Sequence, residues 1–182
     1  MKEFTVRTIS GVAFVFVIVS LILAHEITSL MLFLTILIFS LNEFYNLVYK
    51  LKYHPYKPFG IILASILFIL NFNIASGFLD IDYLWLNLLS FFLLPVFPLF
   101  YNPKTFTQSW ISTFAGWIYI LLPLSLIPFI SFKNGEYDPW LILGVFIIIW
   151  VYDSLAYVSG VLFGRHKMFP SISPKKSWEG FF

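Results

Sequence analysis

The chain has 182 residues, 60% hydrophobic and 11% charged, with a mean hydropathy of +0.90 and a formal net charge of +2. That balance excludes a soluble globular domain, which is far more polar, and continuous apolar runs such as 61–70 exclude a β-barrel with its alternating strands. With no cysteine, disulfides, thiolate metal ligands and a cysteine nucleophile are excluded together.

A hydrocarbon core about 30 Å thick takes roughly 20 apolar residues of helix. On that measure the sequence predicts six membrane-spanning helices: Ile9–Ala24, Leu30–Tyr49, Pro58–Leu79, Tyr83–Tyr101, Trp110–Phe132 and Pro139–Gly160. The expected fold is an all-α, polytopic membrane helical bundle, a single multi-pass domain over 1–182. Within it, 9–150 form a helical scaffold, and 151–182 form the helix and basic loop that carry the chemistry. The first run follows Lys2 and Arg7 but reads as a retained helix, because Ala24-His25-Glu26 is a poor small-residue cleavage site and further spans follow. Trp85, Trp110, Trp117 and Trp140 fall at or near helix ends, as interfacial anchors or packing. Pro95, Pro98, Pro123 and Pro128 predict kinks in the fourth and fifth helices.

The connections alternate in charge. Lys2 and Arg7, then Lys50, Lys52 and Lys57, then Lys104, then Arg165, Lys167, Lys175 and Lys176 fall on one side. Lys133 stands on the other with Glu26, Asp80, Asp82, Glu136 and Asp138. Positively charged loops stay inside, so the N-terminus and the basic tail are expected on the cytoplasmic face of the cell's inner membrane.

Asp153 lies about two turns before the inner end of the sixth helix, where an ionised carboxylate facing lipid costs several kcal/mol. It is expected to face protein, water or a cation, in a functional polar cavity or as a hydrogen-bonded structural acid. Tyr157, four residues on, shares its face. Gly160 and Gly164 have the small-xxx-small spacing that permits close helix approach, or backbone contact with a ligand. Ser173-Pro174 reads as an N-cap and first helical residue. A helix starting there would put Lys175 and Lys176 at its positive end, a place for an anion; the plainer reading is juxtamembrane lysines obeying the inside rule. His166 has no second histidine or carboxylate at ligand spacing and reads as a solvated loop residue, and His25 and His54 are likewise isolated. Glu43, near Tyr45 and Asn46, is a second acid within the membrane, either the partner of a base or the rim of the same site. No nucleotide-hydrolase phosphate loop, dinucleotide fingerprint or nucleophile elbow is present.

Asp153-Ser154-Leu155-Ala156-Tyr157, then Gly160, then Phe163-Gly164-Arg165-His166-Lys167, then Ser173-Pro174-Lys175-Lys176-Ser177-Trp178-Glu179-Gly180 resembles, in order and spacing, the phosphatidate cytidylyltransferases, also called CDP-diacylglycerol synthases. The resemblance implies that phosphatidate attacks the α-phosphorus of CTP with Mg2+ present, giving CDP-diacylglycerol and pyrophosphate. Such a transfer needs in-line positioning and charge neutralisation more than covalent protein chemistry. It implies catalytic roles for Asp153 and Lys176, and substrate binding by Tyr157, Arg165, Lys167, Ser173, Lys175, Ser177, Trp178 and Glu179. The implied partners are CTP, phosphatidate and the lipid bilayer, with no nucleic acid and with homodimerisation left open. The family's C-terminal signature, rich in Asp, Arg, Gly and His, has no counterpart before Phe182. Asp153 is therefore the metal-ligand candidate here, the main ligands are expected beyond Phe182, and residues 1–182 alone are expected to be inactive. The alternatives are a CTP-dependent polyprenol or dolichol kinase, and a transporter or channel subunit with Asp153 as its ion site. The latter leaves Ser173 to Gly180 unexplained.

Overall fold

Long apolar runs in a membrane close their backbone hydrogen bonds within themselves, and the structure is accordingly built from helices. A computed structural model describes residues 2–93, 96, 106–170 and 173–182, with the side chains of 2–5, 7–8, 93 and 174–175 outside the description. Pro95, Pro98 and Lys104 therefore lie outside the described residues. In chain order the elements are α1 (Lys2–Ala24), α2 (Glu26–Lys50), α3 (Lys57–Ala75), a 3-10 turn (Ile81–Leu84) leading into α4 (Trp85–Leu93), and α5 (Phe106–Ser131). There follow a ribbon of β1 (Phe132–Lys133) and β2 (Glu136–Tyr137), then α6 (Pro139–Phe163), a ribbon of β3 (Lys167–Phe169) and β4 (Ser173–Ser177), and α7 (Trp178–Phe181).

Among the described residues, α2, α3, α5 and α6 are long and apolar enough to cross a membrane, whereas the apolar stretches Ile9–Ala24 and Ile81–Phe92 are shorter. Local chemistry sets the ends. Helix α2 begins at Glu26 because His25 caps it: the Ile27 N–H donates to His25 Nδ1 at 3.2 Å, and the His25 N–H donates to Thr28 Oγ1 at 3.1 Å. Helix α3 stops at Ala75, short of the expected Leu79, where Gly77 turns at φ +76°. In α5 the proline effect is local: the α-helix gives way to a π turn at Trp117–Leu121 just before Pro123, and breaks at Leu126 before Pro128.

The chain forms two compact units, Met1–Pro139 and Trp140–Phe182. In the first, α2 buries Ser29, Phe33, Leu37, Leu41 and Tyr45, a stripe spaced by one helical turn. Helices in lipid gain little from burying apolar surface, so close packing and internal hydrogen bonds decide their association. Tyr45 supplies both. Its hydroxyl donates to the Thr113 carbonyl at 2.9 Å, and its ring fills the space left by Gly60 and Gly116. Trp117, read as an interfacial anchor or as packing, takes the packing role: it is buried in this junction, where its Nε1–H donates to the Gly60 carbonyl at 3.0 Å. Asn71 and Asn87 exchange amide hydrogen bonds of 3.1 and 2.9 Å between α3 and α4. The first ribbon turns through Asn134 and Gly135, both at positive φ, as a two-residue hairpin requires.

In the second unit α6 buries only Ile142 and Leu143 among its described residues. Apolar side chains such as Ile148, Leu155 and Val161 stand exposed on it, a surface suited to lipid.

Candidate active site

The end of α6 is shaped by glycines. A methyl group on Gly164 would collide with the Gly160 carbonyl and lie 2.7 Å from Ser177 Oγ, so the chain leaves the helix through a position that accepts no side chain. After Gly164 the chain presents Arg165, His166 and Lys167, doubles back through the β3–β4 ribbon, and returns to α6 as α7. The ribbon pairs Lys167 with Ser177 and Phe169 with Ser173 across an irregular register. The return is close: a Cβ on Gly180 would lie 2.6 Å from the Ala156 carbonyl oxygen and 3.1 Å from Gly160 Cα. The spacing of Gly160 and Gly164 thus serves backbone packing. The Tyr152 hydroxyl adds a hydrogen bond of 3.0 Å to the Phe181 carbonyl.

The expected helix start at Ser173 is corrected. Ser173–Ser177 is a strand, and the residue preceding the helix is Ser177, extended at φ −127° and ψ 156°. Proline lacks an N–H but is tolerated in a two-stranded ribbon, where each strand has an outer edge, so Ser173-Pro174 satisfies the strand as well as it would a cap. Lys175 and Lys176 consequently precede the helix rather than sit in its first turn. Ser177 is buried, and its hydroxyl finds no hydrogen-bond partner among the described residues.

The loop and α7 are joined by a clasp. The His166 N–H donates to Glu179 Oε1 at 3.1 Å and Oε2 at 3.3 Å, and His166 Nδ1 lies 2.7 Å from Oε1. The Trp178 N–H donates to the His166 carbonyl at 3.0 Å beside it. The Glu179 carboxyl is held down at about 2, from an ordinary 4.5, by its own backbone N–H and then by the His166 side chain. An open cleft of about 820 Å3 lies over the clasp, lined by Arg165, His166, Lys167, Trp178, Glu179 and Phe182.

Of the residues expected to form a site, Arg165, Lys167, Trp178 and Glu179 meet at this cleft. Lys176 is exposed, Ser173 is half-buried, and the Lys175 side chain lies outside the described residues. Asp153 and Tyr157 are not part of the lining. Both are exposed, so the described residues build no polar cavity around Asp153. Glu43 is exposed too, and the Lys57 ammonium donates to Asn46 Oδ1 at 2.6 Å. His166 is a solvated loop residue, as read, and what sequence reasoning missed is its pairing with Glu179. Its carboxylate partner is thirteen residues away, beyond any ligand-spacing rule.

A cationic loop at the end of an apolar helix can gather phosphate groups at a membrane surface. Residues 5–182 match the family described as the cytidylyltransferase family. The chain is similar to a phosphatidate cytidylyltransferase of Rickettsia felis, 45% identical over 65 residues that make up 36% of this chain and 28% of the relative. It is similar to one of Haemophilus influenzae, 44% identical over 66 residues, 31% of this chain and 23% of the relative. It is also similar to one of Staphylococcus epidermidis, 54% identical over 41 residues, 22% of this chain and 16% of the relative. The matched stretch spans about a quarter of the Rickettsia and Haemophilus relatives. No solved structure matches significantly.

Proposed function

The chain belongs to the cytidylyltransferase family, and from that premise we propose that the protein transfers CMP from CTP to phosphatidate in phospholipid biosynthesis. A phosphatidate oxygen attacks the α-phosphorus of CTP, the bond from that phosphorus to the bridging oxygen breaks, and pyrophosphate leaves. The products are CDP-diacylglycerol and pyrophosphate. The observation that carries this reading is the cluster of Arg165 and Lys167 at the mouth of a cleft directly after a membrane-length helix. There, cations can meet a water-borne triphosphate and a lipid headgroup together.

In this reading Arg165, Lys167, Lys175 and Lys176 hold the phosphates and offset their charge as it moves toward the leaving pyrophosphate. Trp178 supplies an aromatic face, with its ring stacked 6.0 Å from that of Phe182. The cleft lies on the cytoplasmic side of the inner membrane, because its cations follow the inside rule. Magnesium is part of the proposal. Among the described residues no three His, Asp or Glu side chains gather as a metal cluster. A magnesium ion carried by the triphosphate needs only one or two protein carboxylates.

The test is transfer from CTP labelled at the α- or the γ-phosphate to phosphatidate in vesicles, using the full-length protein. Label from the α-phosphate in the lipid, with release of pyrophosphate, is the expected result. Label from the γ-phosphate would replace this reaction with a lipid kinase.

A further inference from the structure

The phosphate contacts proposed above leave the pairing of His166 with Glu179 without a role, and the following rests on that proposed reading. Glu179 is expected from the resemblance to bind substrate, but a carboxylate repels a triphosphate. Both of its oxygens are also taken by His166, through the backbone N–H and Nδ1. The pairing ties the loop after α6 to the first turn of α7, and the backbone bond from Trp178 to the His166 carbonyl holds it in register. With Nδ1 committed, Nε2 is the one polar ring atom left, and it makes no hydrogen bond among the described residues. The His166 side chain is 81% exposed and lines the cleft with its neighbours Arg165 and Lys167.

We infer that Glu179 is a positioning residue acting through His166, and that His166 is a further phosphate-binding residue whose Nε2–H donates to the triphosphate of CTP. The two ring nitrogens are distinct, and the partner on one sets what the other offers. Glu179 holds Nδ1, so the cleft gains an oriented ring nitrogen beside Arg165 and Lys167. Glu179 also fixes the ring direction, as a carboxylate behind a functional histidine does in other settings.

The experiment compares His166→Ala, Glu179→Ala and the double variant in the full-length protein. It reads KM and kcat for CTP, and the Kd for sodium tripolyphosphate by calorimetry. Loss of one charge-assisted hydrogen bond should raise KM and Kd roughly tenfold in each single variant, with kcat changed less than about twofold. The double variant should be no worse than His166→Ala alone, because Glu179 acts only through the ring. Glu179→Gln keeps an acceptor for the ring and should fall between wild type and Glu179→Ala, which covers the case in which alanine disturbs folding. Wild-type KM and Kd in the single variants, or a double variant weakened about a hundredfold by multiplied effects, would overturn the inference. The two readings fail separately. If the wild type transfers no CMP yet tripolyphosphate binding weakens as stated, the activity falls and the positioning role stands. If transfer proceeds and the variants match wild type, the reverse holds.

Discussion

Replacing Gly180 with alanine tests whether the glycine contact holds the cationic loop in place. The new methyl carbon would lie 2.6 Å from the Ala156 carbonyl oxygen, 3.1 Å from Gly160 Cα and 3.2 Å from Gly160 N, about 0.8 Å short of ordinary contact at 3.4 Å. All three neighbours are backbone atoms of a continuous helix, which no rotamer change can move, so relief must come from α7 lifting off α6. Overpacking of this kind costs about 1–3 kcal/mol, which reduces the docked population relative to the lifted one roughly 5- to 150-fold. Hydrogen exchange in lipid nanodiscs reads this directly at the Trp178 amide, which donates to the His166 carbonyl at 3.0 Å. Its exchange should accelerate by that factor, and CTP turnover should fall in parallel. Gly144→Ala is the control, since nothing lies within 4 Å of a Cβ there. In the interior of α6 it should leave the loop unchanged and stabilise the helix by up to about 1 kcal/mol. Wild-type exchange at Trp178 in Gly180→Ala, or equal acceleration in Gly144→Ala, would refute the contact.

Tyr45→Phe removes the hydrogen bond to the Thr113 carbonyl and should lower stability by about 0.6 to 1.7 kcal/mol, the range for such bonds between membrane helices. Gly116→Val should cost more, because its Cβ would lie 2.7 Å from the Tyr45 ring; thermal unfolding in detergent ranks the two, and the opposite order would sink the packing argument. Lys176→Ala should raise KM for CTP roughly tenfold or more through loss of a charge-assisted contact, with Lys176→Arg retaining most of the affinity; equal KM values at low and high salt would count against it. Glu179 gives a pH signature. A carboxyl lowered from 4.5 to about 2 stabilises the loop fully above about pH 4.5, and that contribution is lost as the pH falls toward 2. Exchange protection of the His166 amide should follow this course in the wild type and be absent from Glu179→Ala; loss of protection centred at 4.5 or above would contradict the lowered carboxyl.

The helices were legible because each long apolar run has one low-energy solution in lipid, a helix that satisfies its own backbone. Their ends were less so, since they follow from side chains such as His25 and turns such as Gly77 rather than from hydropathy. Trp117 shows what composition leaves open: a tryptophan near a predicted helix end suits an interfacial anchor and packing alike, and only the fold supplies the buried carbonyl that its indole N–H meets. The Asn134-Gly135 pair does carry a hairpin signal in the sequence, but beside longer apolar runs it is a short feature. At the second ribbon the signal was ambiguous in kind, because Ser173-Pro174 suits a helix start and an edge strand alike.

The site divides along the same line. Arg165 and Lys167 could be read from charge and position, because cations gathered directly after a spanning helix sit at headgroup level, where they meet anions, and the cleft contains both. His166 could not, because its role depends on a partner thirteen residues away that only the return of α7 brings within 2.7 Å. That return depends in turn on three glycines, Gly160, Gly164 and Gly180, whose missing side chains are what allow the backbones to meet. The sequence shows such residues as absences of chemistry, whereas in the fold they decide where the charged residues stand. Asp153 is exposed on α6, and a carboxylate facing lipid near the centre of a membrane helix costs about 2.5–3.5 kcal/mol on insertion scales. Water, a cation or further protein at that face would offset this cost, and each of those would also serve a reaction between two anions.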